Sequence, residues 1–219
     1  MNKAIFACLT PYEAFWQLGP LPPMRGHITL VGWRLSRRAI DEGMPADVGA
    51  ALVSALASIA TLNFLASEAP PTGGGETRTF HRSFFDRITS RMRLEPTKIL
   101  MVSTCDPSEA AHLFEDVGYS WAMQGQAVVL SARGAPPPPL SRDTLLSLVE
   151  DDWAETAAQV AGVLGAMRPG VDGDVAGILS LSESFEQSAL TALEREAVAA
   201  GFDWFVVDES AFRDMLATG

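Results

Sequence analysis

Apolar positions along the chain change their spacing several times, and each change predicts an element. The apolar run at 4–9, between Lys3 and Thr10-Pro11, fits a strand over 3–9. Thr10 followed by Pro11 then predicts a short helix over 11–18, because proline at the first helical position gives up no bond. Gly19-Pro20-Leu21-Pro22-Pro23 enforces a stiff extended connection. His27 to Leu35 is apolar and β-branched and reads as a second strand. From 45 to 66 the period becomes helical: Val48, Leu52, Ala55, Leu56, Ile59, Leu62 and Phe64 fall mostly on one side, and Ala and Leu dominate. Pro70-Pro71 and Gly73-Gly74-Gly75 make 67–79 a loop. Phe80, Phe84, Ile88 and Met92 then recur every fourth residue, with Arg82, Arg87, Arg91 and Arg93 off that stripe, which predicts an amphipathic helix over 80–93.

The second half repeats a pattern. A strand over 98–103 is followed by a helix over 107–116, then Gly118-Tyr119-Ser120-Trp121 and a strand over 128–130. Later a strand over 175–181 is followed by a helix over 185–199, then Gly201-Phe202-Asp203-Trp204 and a strand over 205–207. In each, the glycine suits the left-handed residue that ends a helix. Between them, Gly134 to Pro139 is a stiff connector, and Ser141 caps a long helix predicted over 141–167, ended by Arg168-Pro169-Gly170. A terminal helix is predicted over 210–217. The expected architecture is α/β or α+β: a single globular unit over 1–219, with two strand–helix–strand modules that resemble a duplication. Its sub-units are 1–95, 96–135 and 140–219, with covering helices.

Charge adds a direction to this picture. The net charge is −11, but residues 1–100 carry eleven basic and eight acidic groups, a net of +3. The remainder carries five basic and nineteen acidic groups, a net of −14. An acidic surface on the second half favours a basic protein partner over nucleic acid. No run approaches a membrane span, and the short apolar start is a poor secretory signal, so a cytoplasmic location is expected.

Motifs for catalysis are sparse. Cys105 follows a strand and precedes a helix start at Asp106-Pro107, a setting that can stabilise a thiolate. Asp106 and Glu109 oppose ionisation there, however, and His112 lies two turns along the same helix, so Cys105 reads as structural. An enzyme using the Cys105 region stays as an alternative. Three histidines and two cysteines show no metal-ligand spacing. Asp172-Gly173-Asp174 with Glu183 matches the ends of a calcium loop, but the apolar residues between them supply almost no oxygen ligands. No nucleophile elbow, P-loop or dinucleotide fingerprint is present, and neither metal nor cofactor is expected.

The acidic groups gather around two tryptophans. Glu150, Asp151, Asp152 and Glu155 surround Trp153, and Asp203, Asp208 and Glu209 flank Trp204. An aromatic anchor with a carboxylate rim is a workable surface for gripping a basic protein. Val31-Gly32-Trp33-Arg34 at a strand end, ahead of the apolar helix over 45–66, resembles the immunity proteins of bacterial toxin systems. That resemblance implies tight binding to a cognate toxin and assigns no binding residues. A chaperone or adaptor for a secreted protein would use the same acidic half.

Overall fold

Strands and helices follow one another as β1 (Ala4–Thr10), β2 (His27–Arg34), α1 (Ala46–Ile59), β3 (Ala60–Ala66), β4 (Leu100–Thr104), α2 (107–114), β5 (Val128–Ala132), α3 (Trp153–Gln159), β6 (Val163–Pro169), β7 (Val175–Ser180), α4 (Glu183–Ala199), β8 (Asp203–Val207) and α5 (Glu209–Ala217). The computed structural model describes residues 3–10, 27–34, 45–66, 100–114, 127–141, 144, 147–148, 153–169 and 175–217. The helices expected over 11–18 and 80–93, the loop at 67–79 and the Gly-Tyr-Ser-Trp stretch lie outside these residues.

The strands form one eight-stranded sheet in the order β4-β3-β5-β6-β7-β2-β1-β8. Every neighbouring pair is antiparallel except β1 with β8. Side chains alternate across a strand, so each strand feeds both faces of the sheet. One face carries α1, α2 and α4, where Leu52, Leu56, Phe114 and Leu193 meet Ile5, Val31, Leu62 and Ile178. The other carries α3 and α5, where Trp153, Ala157 and Phe212 meet Phe6, Leu30, Val129 and Leu179. The Phe6 and Phe212 rings meet edge to face with centroids 5.1 Å apart, a favoured aromatic geometry. Because both faces are covered, central strands read as unbroken apolar runs, and all of β7 is buried. The chain is thus a three-layer α/β unit, and no described helix is long and apolar enough to cross a membrane.

Local chemistry sets the element ends. Ser182 caps α4 by accepting from the Phe185 N–H at 3.3 Å, and Glu183 and Glu186 sit in the first turn, where the helix dipole favours them. At the other end Gly201 takes φ +82°, as its position after the helix predicts. The Gly201 N–H donates to Val198 O and the Phe202 N–H to Ala197 O, the two bonds of a Schellman cap. Asp47 in the first turn of α1 accepts from Lys3 Nζ at 2.9 Å, a half-exposed pair worth at most about 1 kcal/mol.

Two helix expectations need correction. The helix over 45–66 stops at Ile59, and Ala60 passes directly into β3. Within 61–65, Leu62 and Phe64 face one side and Thr61, Asn63 and Leu65 the other, so the true period there is two. Asn63 fixes that placement. It is fully buried, donates to Val129 O at 3.0 Å and Ser131 Oγ at 3.2 Å, and accepts from Ser103 Oγ at 2.7 Å. A register slip by one residue would turn this amide into an apolar layer and leave its bonds unmade. The long helix over 141–167 is also interrupted. α3 ends at Gln159, Gly162 turns the chain at φ +82°, and 163–169 is the central strand β6. Gly165 lets Phe185 and the neighbouring strand close in, since a Cβ there would lie 2.1 Å from Leu179 O and 3.1 Å from the Phe185 ring.

The two strand–helix–strand stretches exist, but their strands are not neighbours. β3 lies between β4 and β5, while β2 and β1 lie between β7 and β8. A closer likeness joins β1-β2-α1-β3 with β6-β7-α4-β8. Each is an antiparallel hairpin followed by a helix on the same face and then a further strand. Strands from all three sub-units expected from sequence interleave in one sheet.

Candidate functional site

The two tryptophan clusters separate in the structure. Trp153, the first residue of α3, is fully buried, facing the sheet with Ala154 and Ala157. It is a core residue and not a surface anchor, which corrects that expectation. An indole brings a large apolar area to the junction of helix and sheet, even though its Nε1–H finds no acceptor among the described residues. Glu150, Asp151 and Asp152 lie outside the described residues. Glu155 is exposed and accepts from Gln159 Nε2 one turn on, at 3.3 Å.

The second cluster is open. Asp203 begins β8 and Asp208 follows its last residue, and both are exposed. Asp208 also caps α5, its Oδ1 accepting from the Ala211 N–H at 2.9 Å. Glu209 is half-buried and paired with Arg213 at 2.6 Å, one turn along α5. Trp204 packs partly against the α1/α4 side. Between the acidic residues, Phe205 is 46 % exposed and Val206 56 % exposed, on opposite sides of the strand. Leu9, 42 % exposed, lies on the same side as Val206, whose partner in β1 is Ala7. These three apolar residues were not among the sequence candidates. Phe205-Val206-Val207 reads from sequence as a buried run, and only the sheet order places it at an edge.

The cysteine region is built as the sequence predicts, in a form that ties up its polar groups. Cys105 is half-buried in the turn between β4 and α2. Asp106 Oδ1 accepts from the Glu109 N–H at 2.9 Å, Thr104 Oγ1 accepts from the Asp106 N–H at 3.1 Å and donates to Glu109 Oε2 at 2.5 Å. The carboxylates thus engage the start of α2 beside the thiol, and His112 is exposed further along the helix. Cys8 is buried near α5. Burial pushes its thiol pKa up, and the Glu209 and Asp208 carboxylates push it further the same way. Among the described residues no group of three or more His, Cys, Asp or Glu side chains is placed to hold a metal. Where a calcium loop would need oxygen ligands, 175–180 is a fully buried strand.

Comparison with known proteins adds no relative. No family model, curated protein or solved structure matches the chain.

Proposed function

We propose that this chain is a non-enzymatic protein-binding module, in its most concrete form an immunity-type inhibitor that binds and neutralises a cognate bacterial toxin in the cytoplasm. The observation that carries the protein-binding reading is the β8 edge, where exposed Phe205 and Val206 lie between exposed Asp203 and Asp208. Apolar area supplies affinity at such a surface, while carboxylates steer a basic partner and reject acidic ones. The net −14 of residues 101–219 extends that field.

The test is co-expression of the chain with each secreted toxin domain encoded in the same genome, scored by growth rescue and by recovery of a one-to-one complex. Rescue with a stable complex supports the inhibitor reading. A toxin set that is neither bound nor neutralised overturns it.

A further inference from the structure

The two edges of the sheet are treated differently. At β4, Met101, Val102 and Thr104 are buried and Ser103 is half-buried. At β8, Asp203, Phe205 and Val206 are exposed, and among the described residues nothing pairs with the outer side of this strand. The backbone there has a definite polarity. The Asp203 N–H donates to Lys3 O at 2.9 Å, towards β1. Backbone groups alternate in direction along a strand, so Phe205 and Val207 also turn theirs towards β1. Trp204 and Val206 therefore turn their N–H and C=O groups outward. An exposed strand with outward donors and acceptors and apolar side chains on both sides is a template for another strand.

Charge selects the occupant. A second copy paired antiparallel about Phe205 would set Asp203 of each chain opposite Val207 of the other, one residue from its Asp208, so carboxylates of both chains would crowd each end of the seam and repel. A segment with apolar side chains at its centre and lysine or arginine at its ends meets the same carboxylates favourably. We infer that β8 is a docking edge for an extended segment of a partner protein, apolar in the middle and basic at both ends, which adds to the sheet through the backbone groups of Trp204 and Val206. This rests on the protein-binding reading above and specifies its mode.

The experiment uses the whole isotope-labelled chain and a short synthetic peptide of alternating valine and threonine with lysines at both ends. A control peptide has glutamates there instead. At low salt the lysine-ended peptide shifts the Trp204 and Val206 amide resonances and slows their hydrogen exchange, while the glutamate-ended one does neither. Val206→Pro removes an outward N–H that the pairing with β1 does not use, a change edge strands accept. It weakens peptide binding by about tenfold or more with the melting temperature nearly unchanged. Should that variant fail to fold, the pair Asp203→Asn and Asp208→Asn serves instead. Asparagine still caps α5, and binding again falls about tenfold. Unmoved Trp204 and Val206 amides, equal binding of both peptides, or shifts that appear with chain concentration alone, as for a second copy, each overturn the proposal. A toxin neutralised equally well by folded Val206→Pro would leave the inhibitor reading standing and sink strand addition alone.

Discussion

Gly49 sits inside α1, where glycine is a poor choice by propensity, and replacing it with alanine tests how tightly α1 and α2 are packed. On an exposed helix Gly49→Ala would gain about 0.8–1 kcal/mol. Here the new Cβ would lie 2.0 Å from Phe114 Cε1, 2.2 Å from Cζ and 2.8 Å from Cδ1. Phe114 is only 3 % exposed, so its ring has little room to swing away. Overpacking of this kind costs about 1–3 kcal/mol, which exceeds the helical gain. The expected outcome is a net loss of about 1 kcal/mol, or a melting temperature about 2–4 °C lower for a chain of this size. Urea titration of Gly49→Ala, Phe114→Leu and the double variant forms the assay. The slimmer leucine should relieve the clash, making the double variant more stable than the two single losses together imply, by about 1 kcal/mol. A Gly49→Ala chain as stable as its parent, or more so, would refute the reasoning and show that helix propensity outweighs packing at this contact.

Trp153→Ala should lose about 3–5 kcal/mol in urea titration, as expected for a buried aromatic, whereas a loss below about 1 kcal/mol would return Trp153 to the surface. The raised Cys8 pKa means that the unfolded chain releases this proton at a lower pH than the folded one. Stability should therefore fall as pH climbs above the ordinary thiol value of 9.0, and Cys8→Ala should flatten that alkaline decline in melting curves recorded across pH. Association with a captured partner should slow as ionic strength rises, because the Debye length shrinks below the reach of Asp203 and Asp208, and stopped-flow rates independent of salt would contradict this.

Local signals located those elements whose ends carry their own chemistry. Gly201 ends α4, Asp106 and Pro107 open α2, and the β-branched run from His27 marks β2. β3 and β6 were hidden because their residues favour helix and their identity as strands depends on partners far along the chain. Nothing near Asn63 announces that Ser103 and Ser131 will satisfy its amide, and nothing near Gly165 announces Phe185. The same limit divides the acidic candidates. Trp153 and Trp204 have similar neighbours in sequence, yet one lies on the buried side of a helix and the other at a sheet border. Asp203 and Asp208 were legible as exposed acids, while Phe205 and Val206 became candidates only once β8 was found at the end of the strand order.

The interleaved strand order also bears on how this chain is made. β2 pairs with β7 and β1 with β8, so the hairpin of β1 and β2 leaves the ribosome with both of its outer borders open until β7 and β8, far along the chain, have been synthesised. At roughly 5–20 residues per second, that interval lasts on the order of ten to thirty seconds. During it, Ile28, Leu30 and Val31 have no sheet neighbour on the β7 side. The nascent chain therefore carries an unprotected, strongly apolar hairpin throughout that interval. Shielding by ribosome-associated chaperones, or early collapse against α1, is the condition under which this topology reaches its folded state in good yield.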